Sequence, residues 1–332
     1  MVDRIPSGTR DVLPDEMREL RLMTDRIRAV FERSGYGEVY TPVLEYETTF
    51  APRAGQAATP DYASPAYRMF DEQGGVLVLR SDMTLPIARV AATRYAHSEP
   101  PLRFCYFAHA YRGVRPQRGQ SRELLQAGIE LLGAPAPEGT AEALRVLCEA
   151  LDAAGLKTYS VGLGDASLYP SLLEAVGIAP ESRERILSEL VAGDFVGVEN
   201  ELGRLGLPDE DAALLLGVPR IRGGPEVLDG LGGRLEEAAA GMRAVHALVP
   251  PEVARRIIFD LGLVRNLGYY TGAVFQVYDP AYGVPIGSGG RYDELLAGFG
   301  RALPAVGFAL SVERVHIALT GEERGRTGAA PQ

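Results

Sequence analysis

Residues 102–133 read LRFCYFAHAYRGVRPQRGQSRELLQAGIELLG, and the fold turns on how this stretch pairs with itself. Its first part, Arg103 to Tyr111, is rich in aromatic residues and reads as a strand. Its last part, Glu123 to Leu132, places Leu125, Ala127, Ile129 and Leu131 at a period of two, which predicts a second strand with one apolar face. Gln126, Gly128 and Glu130 fall on the opposite parity. The joining loop, Arg112 to Arg122, carries Arg112, Arg115, Arg118 and Arg122 together with Pro116 and Gly119. From the residues alone two readings stand. The hairpin is exposed and its polar face meets water, or that face lines a pocket. A planar cation in the loop with an amide and a carboxylate on the strand would suit a small zwitterion, each charged end finding a partner.

The rest of the composition narrows the class. A chain of 332 residues with 46% hydrophobic and 23% charged residues can bury a substantial core as one large or two smaller domains. No apolar run approaches a membrane span, and the first residues lack the hydrophobic segment of a signal peptide, so a cytoplasmic location is expected. Two cysteines, Cys105 and Cys148, suit a reduced compartment and are expected in the core. His97, His109, His246 and His316 have no ligand spacing, so no structural metal is expected. The net charge of −10 leaves no basic stripe outside the loop at Arg112–Arg122, which argues against extensive contact with nucleic acid. Lys157 is the only lysine, and it precedes a strand rather than a phosphate loop or a Schiff-base position.

Taken in order, the chain opens with a helix. Pro14 suits its first turn, Asp15 and Glu16 suit its positive end, Gly35 stops it, and Met17, Leu20, Met23, Ile27, Val30 and Phe31 form its apolar stripe. GYGEVYTPVLEY (35–46) reads as a strand ending at Pro42, and Arg53–Ser64 as a loop. A hairpin follows, Tyr67–Asp71 and Val76–Arg80 about Gly74-Gly75, then RSDMT (80–84) and a helix from Leu85 to Tyr95 that Asp82 can cap. Glu138–Ala154 is an amphipathic helix with Leu144, Leu147 and Leu151 on one face. Tyr159–Leu163 is a strand, 164–255 a run of short helices, and Arg256–Asp260 a return to the sheet. The glycines Gly287, Gly289 and Gly290 read as a turn before a last helix carrying Arg314.

These segments resemble the class II aminoacyl-tRNA synthetases and, most closely, histidyl-tRNA synthetase. The helix, strand and Pro42 are similar to motif 1, the hairpin 102–133 to motif 2, and GSGGRYDELL with AVGFALSVER to motif 3. LVRNLGYYTG resembles the histidine-specific signature, with departures at Asn266 and Gly268, and RSDMT resembles its R-x-E-G-T segment with Asp82 in place of Glu. The resemblance covers about residues 5–320 and implies an α+β fold, an antiparallel sheet flanked by helices with a helical insertion. The expected division is a core of 1–163 and 256–320, an insertion of 164–255 and a tail of 321–332. It implies no anticodon-binding domain.

The resemblance implies a histidine pocket of Asp82, Thr84, Arg112, Gln126, Glu130, Arg265, Tyr269 and Tyr270. Glu130 and Asp82 would meet the α-amino group and Arg112 the carboxylate, while Gln126, Arg265 and the tyrosine pair close around the imidazole. On the nucleotide side the likeness fails at Val114, Gln120, Leu124 and Ser311, where the family has groups that meet ATP, while Arg122 and Arg314 remain. That pattern resembles the regulatory subunits of ATP phosphoribosyltransferase, paralogues of histidyl-tRNA synthetase. It implies a non-catalytic subunit of the first step of histidine biosynthesis, with L-histidine as effector and a short catalytic subunit as partner. The expected assembly is a homodimer through motif 1 inside a hetero-oligomer, with no cofactor, no tRNA and no membrane. A truncated synthetase that still forms histidyl-adenylate is the alternative.

Overall fold

The computed structural model describes residues 5–51, 66–113, 121–263 and 268–327. Helix α1 (Pro14–Arg33) leads to β1 (Gly37–Glu38), β2 (Leu44–Tyr46), a single turn α2 (Glu47–Phe50), β3 (Arg68–Phe70), β4 (Val76–Leu79) and α3 (Thr84–Thr93). The central hairpin is β5 (Leu102–Tyr111) and β6 (Glu123–Leu132), followed by α4 (Glu138–Ala154) and β7 (Ser160–Asp165). Next come α5 (Leu168–Ala175), α6 (Pro180–Ala192), α7 (Phe195–Leu205), α8 (Asp209–Gly217), β8 (Arg222–Gly223), α9 (Glu236–Leu248) and α10 (Pro251–Ala254). The chain closes with β9 (Ile257–Asp260), β10 (Ala273–Asp279), β11 (Tyr282–Arg291), β12 (Ala305–Ser311) and α11 (Val312–Thr327).

Nine strands form one sheet in the order β1-β5-β6-β12-β11-β10-β7-β9-β8, and β2-β4-β3 form a small second sheet. The large sheet is antiparallel through its middle, as expected for the α+β class, but β1 on β5 and β7 on β9 are parallel pairs toward its edges. One face carries Ile129, Leu131, Val306, Phe308, Phe275, Val161 and Phe259 into a core shared with α1, α4 and α9. Leu20, Met23, Ile27, Val30 and Phe31 of α1 are buried there, so the helical stripe read from the sequence is the packed face. Cys105 and Cys148 are both buried, and desolvation pushes each thiol up to about 12, which makes them inert packing groups. Val198 and Leu202 of α7 and Leu215 of α8 belong to the same apolar cluster, so the stretch 164–255 is continuous with the core.

Three expectations are corrected. The strand expected to end at Pro42 is shorter than that: only Gly37 and Glu38 pair beside β5, and past Pro42 the chain crosses to the small sheet at Leu44. Proline has no N–H to give, and the carbonyls around it are taken by a side chain: Arg80 Nη1 donates to Thr41 O at 2.7 Å and Pro42 O at 3.3 Å. The glycines 287–290 do not form a turn but sit in mid-strand on β11. A Cβ on Gly289 would lie 2.3 Å from Gly307 O, and one on Gly290 would lie 2.7 Å from the Tyr270 ring, so glycine serves close packing there. Residues 321–327, expected in a tail, continue α11. Glu322 pins that end, its carboxylate accepting the N–H groups of Lys157 and Thr158 at 2.9–3.1 Å and the Thr158 hydroxyl at 2.8 Å. Among the described residues no helix is long and apolar enough to cross a membrane.

Candidate functional site

The second face of the sheet carries the polar parity of β6. Register places Gly128 opposite Tyr106 on β5 and Ala309 on β12, and Glu130 opposite Phe104 and Gly307. These residues do not meet water, because α3 packs over β5 and an apolar cluster of Met83, Leu85, Ile87, Phe104, Tyr269, Tyr292 and Leu296 closes that side. From Ala127 onward β6 is buried on both faces. The exposed-hairpin reading is therefore excluded, and Glu130 is 1% exposed.

A small cavity of about 40 Å³ lies here, lined by Asp82, Thr84, Tyr106, Gln126, Tyr269 and Tyr292 among others. Glu130 lies behind this lining, bonded to two of the residues that form it. Its Oε1 accepts the Thr84 hydroxyl at 2.7 Å, and its Oε2 accepts the Tyr292 hydroxyl. Gly307 leaves the room this requires, since a Cβ there would stand 1.9 Å from Glu130 Oε2. Burial pushes the Glu130 carboxyl up to about 8, the two hydroxyls pulling against that shift and Asp82 adding to it. Asp82 accepts the Leu85 N–H at 3.1 Å at the start of α3, so the capping role read from the sequence is present. Asp82 also lines the cavity, where desolvation raises its carboxyl while Leu85 and the Arg112 guanidinium hold it down.

Of the eight residues expected in the pocket, Asp82, Thr84, Arg112, Gln126, Tyr269 and Tyr270 line the cavity, while Glu130 is not in the lining but is bonded to Thr84 and Tyr292, which are. Arg265 lies outside the described residues, as do Val114, Gln120 and the loop Arg53–Ser64. Arg112 is the exposed member, its Nε donating to Ser81 O at 3.4 Å. Tyr269 and Tyr270 stack edge to face at 4.9 Å, and Tyr269 meets Tyr292 in the same way at 5.6 Å. Among the lining residues that escaped sequence reasoning are two tyrosines, Tyr106 and Tyr292. Tyr106 is legible only through register, as the aromatic opposite Gly128, where a Cβ would fall 2.4 Å from its hydroxyl oxygen. Tyr292 follows Gly289-Gly290-Arg291, a run that sequence reading treated as a turn.

The two arginines expected on the nucleotide side are both held by the protein. Arg122 donates from Nε to Ser7 O at 2.6 Å and from Nη1 to the Tyr67 hydroxyl, and Arg314 donates from Nη1 to Pro285 O at 2.8 Å. Glu313 beside Arg314 accepts the Leu125 N–H at 3.0 Å, tying the start of α11 to β6.

Comparison with known proteins places the chain in a family. Residues 8–315 match the family model described as histidyl-tRNA synthetase. A protein of Symbiobacterium thermophilum named ATP phosphoribosyltransferase regulatory subunit is 42% identical over 99% of this chain and 82% of its own length. The chain belongs to the ATP phosphoribosyltransferase regulatory-subunit family. Like other members, it is built on the histidyl-tRNA synthetase fold. A crystal structure from Bacillus halodurans, titled as an ATP phosphoribosyltransferase regulatory subunit/histidyl-tRNA synthetase, superposes with a TM-score of 0.86 at 30% identity, covering 96% of this chain and 83% of that one. A structure from Alicyclobacillus acidocaldarius titled as a histidine–tRNA ligase subunit superposes at 0.76 with 33% identity, covering 97% and 98%. In this regulatory-subunit family member the cavity is lined by tyrosines and lies beside a buried glutamate.

Proposed function

We propose that this chain binds L-histidine in the pocket beside Glu130 and passes that occupancy to a separate, short catalytic subunit of ATP phosphoribosyltransferase, as feedback on the first step of histidine biosynthesis. The observation that carries the reading is the contrast between the two halves of the site. Six of the residues expected to meet the amino acid line one cavity, whereas on the expected nucleotide side Arg122 bonds to Ser7 and Tyr67 and Arg314 to Pro285. Asp82 and Glu130 suit an ammonium group, and Arg112 at the rim suits a carboxylate. Inhibition by linkage requires only that histidine bind the inhibited assembly better than the active one. The protein works in the cytoplasm, contacts no tRNA and makes no adenylate of its own.

Titration calorimetry of the purified chain with L-histidine, with and without ATP and Mg²⁺, tests this. Histidine is expected to bind with the same affinity in both conditions, and no pyrophosphate exchange is expected. The second reading, an adenylating enzyme, is favoured by the likeness to the Alicyclobacillus ligase subunit. It predicts tighter histidine binding with ATP and measurable exchange, and that result would replace the regulatory reading.

The chain works as a homodimer through the motif 1 region. Tyr40 is 81% and Phe70 75% exposed, and Leu44 and Tyr46 are exposed on the small sheet, large apolar side chains that a partner copy would cover. Tyr40→Asp with Phe70→Asp is expected to turn a dimer into a monomer by light scattering after size exclusion. A native protein that runs as a monomer would remove the interface.

A further inference from the structure

Asp82 lines the pocket and Glu130 lies behind Thr84 and Tyr292, and among the described residues little balances these two carboxyl groups. Facing Glu130 are the Thr84 hydroxyl at the start of α3 and Asp82 just before it, Tyr106 from β5, Tyr292 after β11 and Gly307 of β12, with Tyr270 beyond the two tyrosines. Every one of these is neutral or acidic. The cation at this pocket among the described residues is Arg112, which is exposed and pulls on Asp82. A bare carboxylate in so dry a place is costly, and a group in that position meets the cost by holding a proton or by receiving a cation. The hydroxyls of Thr84 and Tyr292 serve both states. They donate to a carboxylate, and either can turn to accept from a carboxylic acid.

We propose that the pocket exchanges a proton for the positive charge of its ligand, Glu130 staying neutral in the ligand-free protein and ionising as the ligand's ammonium enters. This deepens the histidine-binding reading and rests on it. The balance is that Glu130–COOH and R–NH₃⁺ give an ion pair, Glu130–COO⁻ with R–NH₃⁺, and one proton passes to solvent. No bond in the ligand changes. The direction follows from the site: burial raises the carboxyl to about 8 without ligand, and an ammonium in contact with it lowers it again. Since the complex binds fewer protons than the free protein, affinity rises with pH up to about 8 and flattens above that. A pocket of this kind favours amines over the matching neutral or anionic compounds, and it makes feedback strength depend on cytoplasmic pH.

The test is titration of the full chain with L-histidine at pH 7 in phosphate and in Tris, whose ionisation heats differ widely. With Glu130 titrating near 8, about 0.9 proton per site is expected to be released. Apparent affinity should rise by about tenfold per pH unit between pH 6 and 7, beyond whatever the same titration shows for Glu130→Gln. In that variant the amide keeps the shape and cannot ionise, so proton release should vanish. Histidine binding to the native protein with no proton release overturns the exchange and leaves the histidine reading standing. No histidine binding at any pH overturns both. Proton release that persists undiminished in Glu130→Gln also overturns the assignment to Glu130.

Discussion

Gly307→Ala is expected to abolish histidine binding, with a loss of at least about a hundredfold, equivalent to about 3 kcal/mol. Its Cβ would stand 1.9 Å from Glu130 Oε2 and 2.5 Å from Ile129 O, one a side chain behind the pocket lining and the other backbone of the neighbouring strand. The backbone contact cannot relax without parting β6 from β12, and the side-chain contact can relax only by moving Glu130 off Thr84 and Tyr292. Overpacking of this kind costs about 1–3 kcal/mol in stability as well. Gly241→Ala in α9 is the control, because nothing lies within 4 Å of its Cβ. It should bind histidine normally and unfold at the same or slightly higher denaturant. Unchanged histidine affinity in Gly307→Ala, measured by calorimetry, would mean that the ligand does not use Glu130.

The second large effect concerns Arg80, which is 2% exposed and has no carboxylate partner among its hydrogen bonds. Its guanidinium donates to His109 O at 2.8 Å, Thr41 O at 2.7 Å and Pro42 O at 3.3 Å, and its backbone joins Val43 to Tyr111. One side chain thus fastens the end of β5 to the crossover between the two sheets, two residues before Asp82. Arg80→Ala leaves three carbonyls without their donor and a void where the side chain lay, a combined cost of about 3–5 kcal/mol. Arg80→Lys should recover little of it, because one ammonium cannot span acceptors arranged for a fork. The midpoint of chemical unfolding reads the effect directly, and an unmoved midpoint in Arg80→Ala would show that the crossover is held by other contacts.

Both variants act at places where sequence reading was least secure. The elements it drew correctly were those with strong local pattern. The strand 123–132 and the helix 138–154 have the bounds expected from their apolar periods and flanking residues, and α1 begins at Pro14 and ends just before Gly35. Periodicity succeeds there because each element has one face buried against a neighbour. It failed for 35–46, where the decisive partner is a side chain 38 or 39 positions away, Arg80. It failed again for Gly287–Gly290, because a glycine that makes room for a facing ring looks in sequence like one that makes a turn.

The site divides along the same line. The residues expected at the pocket, Asp82, Thr84, Gln126, Glu130, Tyr269 and Tyr270, fall within recognisable local segments of the chain. That these segments meet in one pocket depends on strand order and register, which bring β5, β6, β12 and β11 side by side and set Tyr106, Gly128 and Ala309 in one row. The state of Glu130 lies further still from the sequence. A glutamate in a period-two strand reads as a solvated side chain, and only the cover of α3, Tyr106 and Tyr292 turns it into a buried acid that holds its proton near neutral pH. Local pattern is set by neighbours along the chain, whereas desolvation is set by whatever the fold stacks on top.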